Sequence, residues 1–442
     1  MELKPVNRNH LDFVRSGVMY QIFPDRFARD ESVPADRPLD EWGTAPTRDN
    51  FFGGNLRGVE QHLGYLKDLG VSSIYFNPIF KAPSNHRYDT ESYFEVEPLI
   101  GSNDDLRSLC ATAKSQDIGI LLDGVFNHCG KTMPEFLAAQ AGDVEMQKLF
   151  HLYKDGSYQT FGGTPFMPKL HTAAPEVLDY VERVLRHWHE FGISGWRFDV
   201  PYKFADGFMK QLRARTADLS SAQYFIAEAW NEWSFATDFE AVQNYRSGGR
   251  LVDYVHKHSA DAEDFIFDII RWGQQWGDYS VLPNFIDSHD TPRFMTTVEG
   301  SMESWRLGFA LHMLIPGVPI VFAGTELAMA GANDPDCRVT YPTSLNAEQQ
   351  AALEFSKPWM RLRGASNALK FGGIKLIELK NHALIFEREY EGSKLTVLVN
   401  TGWHDELLLT DISGEWTDLD QRPVRLEDRV PQRGLFIRPI AN

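Results

Sequence analysis

The chain has 442 residues, 43% of them hydrophobic and 24% charged, which is the balance of an ordinary soluble globular protein too long for one small core. Its net charge of −17 at pH 7 excludes the basic surface that nucleic acid or an anionic lipid face demands. The three scattered cysteines, Cys110, Cys129 and Cys337, exclude a disulfide framework and show no zinc-ligand spacing, so a reducing compartment fits.

In chain order, Met1 to Ser16 is polar and mixed in charge and lacks the apolar core of a signal peptide. No segment is long and apolar enough to span a membrane, so the expected location is cytoplasmic. Gly17 to Phe23 reads as a first strand ended by Pro24, and Asp25 to Arg48 as a polar loop. Phe51 to Gly58 opens a helix running to about Leu69, Gly70 stops it, and Val71 to Asn77 is a second strand. After the loop from Pro78 to Tyr93, Asn103 and Asp104 are placed to cap a helix over Leu106 to Gln116. Ile118 to Asp123 is the third strand, running into Gly124-Val125-Phe126-Asn127-His128.

From Cys129 to Thr172 the strand–helix rhythm breaks, as it does at an inserted small domain. It resumes with an apolar helix from Pro175 to Phe191 and a strand ending in Gly195-Trp196-Arg197-Phe198-Asp199-Val200. The fifth strand is Tyr224 to Glu228, the sixth Leu251 to Val255, and the seventh Leu282 to Asp287, followed by Ser288-His289-Asp290. A helix from Ser304 to Leu314 precedes the eighth, Val318 to Phe322. Such alternation predicts a TIM (β/α)8 barrel over residues 1–128 and 173–370, with residues 129–172 inserted after strand three. From Phe371 the short alternating segments predict a C-terminal antiparallel β-sandwich domain to residue 442.

Charged residues rarely end buried strands unless paired or used. Here His86, Tyr88, Asp123, His128, Asp199, Glu228, His289 and Asp290 all fall at or just beyond strand ends, on the rim where such barrels carry their sites. Hydrolysis of a glycosidic bond with retention needs one carboxylate to attack and another to protonate the leaving oxygen. Arg197 lies two residues from Asp199, on the same side of the strand, and would hold it ionised as the nucleophile. Glu228 follows an apolar run and precedes Trp230, a setting that suits the general acid. Asp290 is left to stabilise positive charge in the transition state. His128 and His289 can donate hydrogen bonds to sugar hydroxyls, and Tyr88 offers a stacking face. The bland readings are an Arg197–Asp199 structural ion pair, structural histidines, and an Asp123 that only holds the His128 loop. High aromatic content (11 Trp, 15 Tyr, 30 Phe) suits sugar rings, although a large aromatic core explains most of it. No HExxH, GxGxxG or Walker sequence points to a metal protease or a nucleotide.

These motifs resemble the α-amylase family of glycoside hydrolases. Asp123 to His128, Gly195 to Asp199, Glu228-Ala229-Trp230 and Ser288-His289-Asp290 are similar to its four motifs, in order. The resemblance implies Asp199 as nucleophile, Glu228 as acid/base and Asp290 as transition-state stabiliser. Met167 to Leu170, Ser84 to Asp89 and Asn333 to Arg338 resemble the neopullulanase, cyclomaltodextrinase and maltogenic amylase group. That likeness implies cleavage of α-1,4 bonds in cyclodextrins, maltooligosaccharides or pullulan. It also implies sugar binding by His86, Asp334 and Arg338.

The chain departs from the group in three places. It begins almost at the first barrel strand, without the N-terminal domain that helps the group dimerise, so its assembly state stays open. Val200-Pro201-Tyr202-Lys203 replaces Val-Ala-Asn-Glu after the nucleophile, which puts Tyr202 and Lys203 forward as leaving-side sugar contacts. His171 follows Leu170 where asparagine is usual, and Asn55 stands for an aspartate of the early calcium loop, so calcium is unsupported and no cofactor is expected. The rival activities are a general α-amylase or a transglycosylase on the same site. The rival from another class is a catalytically silent sugar-binding or transporter-ancillary relative.

Overall fold

The computed structural model describes residues 1–4, 11–219, 223–230, 237–277 and 279–440; the other residues of the expected segments lie outside it. Eight parallel strands form the central sheet: Val18–Ile22, Val71–Phe76, Gly119–Gly124, Gly195–Phe198, Tyr224–Ala227, Ala241–Val242, Pro283–Phe285 and Val318–Phe322. The eighth pairs with the first in register Ile320 to Met19, and a parallel bridge from Asn244 to Asn284 joins the sixth to the seventh and closes the barrel.

The period of two along each strand sorts residues by depth. Met19, Tyr75, Leu121, Ile226, Ala241 and Phe285 fill the barrel interior with Leu11 and Val14 beneath them. Two residues further along most of these strands, the inward positions turn polar: Gln21, Asn77, Asp123, Glu228 and Gln243, all buried. An apolar plug therefore supports a polar layer at the strand C-termini.

Local departures from expectation have physical causes. The sixth strand is Ala241–Val242, whereas Leu251 to Val255 lies in a helix, Tyr245–Val252, and the helical turn Asp253–Lys257 that continues it. Leu251, Val252, Tyr254 and Val255 are buried against neighbouring elements, and a short apolar run serves a buried helix as well as a strand. Gly248 lets this helix approach the seventh strand, since a Cβ there would lie 2.9 Å from the Ile286 carbonyl oxygen. The helix expected to open within Phe51 to Gly58 and run to about Leu69 breaks at His62 into Leu56–Gln61 and Leu63–Asp68. Ser102, with Asp105, caps the helix Asn103–Ser115 in place of Asn103 or Asp104. Asn103 instead receives the Val96 N–H at 2.9 Å.

Residues 129–172 carry two short helices, Pro134–Gln140 and Val144–Gln147, and isolated bridges such as His128 to Lys169. The C-terminal part is a seven-stranded antiparallel sheet with a two-stranded ribbon, Glu406–Leu407 with Arg429–Val430. One face of the sheet packs Ile385, Leu398, Trp416 and Phe436 against Leu408 and Val430 of the ribbon side. Leu384, Phe386, Val397 and Leu435 join the main core instead. Glu2–Leu3 pairs with Ile374 and Lys375 as an edge strand of this sheet, so the first residues belong with the C-terminal sheet and not with the barrel. Among the described residues no helix is long and apolar enough to cross a membrane.

Candidate active site

The polar layer at the strand ends is organised around Arg197. Its Nη1 donates to Asp199 Oδ1 at 2.9 Å and to both oxygens of Asp123 at 2.8 and 3.0 Å. Its Nη2 lies 2.9 Å from Glu228 Oε2, and its Nε donates to Gln243 at 3.1 Å. Gly195 brings the fourth strand close enough for this, because a Cβ there would lie 2.2 Å from the Tyr224 carbonyl oxygen of the fifth. One guanidinium thus gathers three carboxylates from three adjacent strands.

That sharing changes the electrostatics expected from the sequence. Burial pulls Arg197 down, but Asp123 and its other anionic neighbours outweigh burial and keep it protonated. Burial, and then the charge of Glu228, push the Asp199 carboxyl well above the usual carboxylate range, with Arg197 opposing. Arg197 does not hold Asp199 low, because its charge is divided among three anions. Asp290 is also pushed up by burial, against the pull of Arg338. Asp123 is a full member of the buried network and not merely a loop anchor: Tyr75 and Tyr88 donate to its Oδ2 at 2.7 and 3.0 Å.

Val200, just after the nucleophile position, adopts a left-handed backbone with φ +40°, a costly conformation for a β-branched residue. This turn aims its N–H at Glu228 Oε2, 2.9 Å away. Trp230 Nε1 donates to the other oxygen, Oε1, at 2.8 Å, and its ring stacks on Tyr245 with centroids 4.1 Å apart.

Hydrogen bonding also fixes the histidines. Tyr88 gives its proton to Asp123, so its oxygen accepts from His289 Nε2 at 2.7 Å. His289 Nδ1 must then accept from Gln21 Nε2 at 2.8 Å, and Gln21 spends its second proton on Asn77. Nε2 of His289 also lies 3.1 Å from Asp290. Burial holds all three rim histidines neutral: His289 well below its ordinary value, His86 at about 4 and His128 at about 3. The His128 ring stacks on Phe161 at 4.4 Å.

These residues surround a cavity of about 390 Å³. His86, Tyr88, His128, Asp199, Tyr202, Glu228, Asp290, Asp334 and Arg338 line it. Arg338 joins two of them, reaching Asp334 at 3.0 Å and Asp290 at 3.3 Å. Arg197 and His289 stand behind the wall, acting on lining groups, and Lys203 lies outside the lining, its Nζ 5.4 Å from the Tyr202 ring centroid. Phe161, Met167, Val200 and Trp230 complete the wall. Sequence reasoning missed Phe161 as a site residue; it comes from the insertion, where no periodicity marks it. Met167 and Trp230 lay inside quoted motifs, which was the available signal.

In the loop where a calcium site would be sought, the Asn55 side-chain oxygen is taken by the Gly58 and Asp30 N–H groups. The Asn55 side chain caps a helix through Gly58 N and donates its amide to the Asp30 and Gly53 carbonyls, presenting N–H groups where a metal needs oxygen. Among the described residues, no group of three His, Cys, Asp or Glu side chains could hold a metal.

The family model for the α-amylase catalytic domain matches residues 21–242 and 205–361. A cyclomaltodextrinase from Bacillus sp is 34% identical over 410 residues, covering 88% of this chain and 73% of that protein. Neopullulanase 2 of Thermoactinomyces vulgaris is 33% identical over 430 residues, covering 92% and 74%. Among solved structures, the ligand-free cyclic α-maltosyl-(1→6)-maltose hydrolase of Arthrobacter globiformis superposes with a TM-score of 0.88 at 28% identity, covering 97% of this chain and all of that one.

Proposed function

The chain belongs to the α-amylase family of glycoside hydrolases, and on that premise we propose that it hydrolyses α-1,4-glucosidic bonds in cyclodextrins and short maltooligosaccharides with retention of configuration. The observation that carries this reading is the single guanidinium shared by Asp199 and Glu228, which draws together the two carboxylates that retention requires. In the first step Asp199 Oδ attacks the anomeric carbon while Glu228 gives its proton to the leaving oxygen. In the second, Glu228 takes a proton from water, which displaces Asp199 and releases the sugar. Asp290, with Arg338 and His289 beside it, faces the positive charge that develops on the ring. Among the described residues, His128 Nε2 is buried without a partner at the cavity wall, and it is the ring nitrogen left for a sugar hydroxyl.

Relatives named cyclomaltodextrinase, neopullulanase and maltogenic amylase support this choice of substrate. No step uses a metal, and activity is expected to survive treatment with EDTA. The test is a product time course on β-cyclodextrin, cyclic maltosyl-maltose, pullulan and soluble starch, with Asp199→Asn as control. Ring opening faster than starch cleavage supports the reading. Preference for starch replaces it with a general α-amylase, and maltooligosaccharide binding without turnover would make the chain a silent relative.

A further inference from the structure

Glu228 has to exist in two forms during retention, protonated for the first step and ionised for the second. In the ligand-free site both its oxygens are taken by N–H donors. Oε2 accepts from Val200 N at 2.9 Å and pairs with the Arg197 guanidinium, Nη2 lying 2.9 Å away, each partner fixed by buried backbone or strand. Among the described residues, Oε1 accepts from Trp230 Nε1 alone, at 2.8 Å. The first pair cannot leave without dismantling the polar layer. The third donor can: the Trp230 side chain is 41% exposed, lines the cavity, and is held on its inner face by stacking on Tyr245. This contact occupies the oxygen that has to present a proton to the glycosidic oxygen, so it must be released before the acid step.

We propose that Trp230 is a positioning residue whose indole N–H occupies and orients Oε1 of Glu228 in the free enzyme, and that the leaving-group sugar releases this hydrogen bond as it enters. The proposal rests on Glu228 being the acid/base. Once the indole turns away, Oε1 can take up a proton from solvent; that proton passes to the glycosidic oxygen, and Glu228 regains one from the attacking water. Among the described residues, the other charged or titratable groups facing Glu228 are Arg197 and Asp199 from the fourth strand, Tyr202 beyond it, Tyr245 from the helix after the sixth strand, and His289.

Trp230→Phe removes the N–H and keeps an aromatic ring on Tyr245; at an exposed position it leaves the fold intact, which a melting curve checks. The pH dependence of kcat/KM reports the free enzyme and that of kcat the bound complex. In Trp230→Phe the alkaline limb of kcat/KM is expected to move up by about one pH unit, while that of kcat stays in place. If neither limb moves, the hydrogen bond has no bearing on the proton. If both move together, the bond persists in the complex and release is wrong. A Glu228→Gln enzyme that still hydrolyses maltoheptaose would overturn the acid/base reading itself, whatever Trp230 does.

Discussion

Asp199 sits where function and stability oppose each other. Its carboxyl is buried beside Glu228 and is pushed up, with one guanidinium spread over three anions. The folded state therefore holds its proton more tightly than the unfolded chain does. Wild-type stability falls as pH rises from the unfolded value near ~3.9 up to the folded one. Asp199→Asn has no such loss. It should match the wild type in acid and gain about 1.4 kcal/mol per pH unit across that window, read as a higher melting temperature at neutral pH. The same variant should lose activity by on the order of 10⁴-fold or more. An active variant, or one less stable at pH 7 than at pH 4 relative to wild type, would contradict this account. Because the ionised form attacks, the acid limb of wild-type kcat/KM should also lie above the range of an ordinary aspartate.

At the scale of elements, the site depends on how closely adjacent strands approach. Gly195→Ala would push against the Tyr224 carbonyl oxygen and spread the fourth and fifth strands, which carry Arg197 and Glu228. A cost of about 1–3 kcal/mol is expected, together with a fall in kcat, measurable by denaturant melts and initial rates. Stability lost with kcat intact would mean that strand spacing does not set the geometry. Phe161, stacked on His128, makes the insertion part of the cavity wall. Phe161→Ala should raise KM about 3- to 10-fold, in keeping with one lost ring contact, with little change in kcat.

The strands bearing these residues were legible because a charge closing an apolar run is conspicuous: Arg197, Asp199 and Glu228 announce themselves. Phe161 was not, since an insertion without periodicity hides which aromatic turns inward. The sixth strand was misplaced because two residues of pairing carry almost no pattern, while the stronger apolar run beside it forms a helix. Sharing of Arg197 by Asp123 and Glu228 was equally invisible, since it depends on the pairing of Asp123 opposite Arg197 across two strands.

For the whole molecule, the barrel and the C-terminal sheet share one core. Leu384, Phe386 and Leu435 of the sheet pack into the same cluster as the barrel helices. Arg388 reaches the Leu314 carbonyl at 2.6 Å across that seam, and Glu2–Leu3 extends the sheet from the other end of the chain. Alternating segments after Phe371 reveal the sheet, but nothing local reveals this partnership, which joins residues far apart in the chain. Thermal unfolding should follow one cooperative transition by both circular dichroism and loss of activity. Two separated transitions would show the sheet to be an independent unit.

The most direct measurement is proton NMR of the first product formed from β-cyclodextrin, recorded before the anomers equilibrate. A linear product appearing first as the α-anomer is predicted by attack of Asp199 and return of water through Glu228. A β-anomer, or an unopened ring under conditions where soluble starch is cut, would contradict the account.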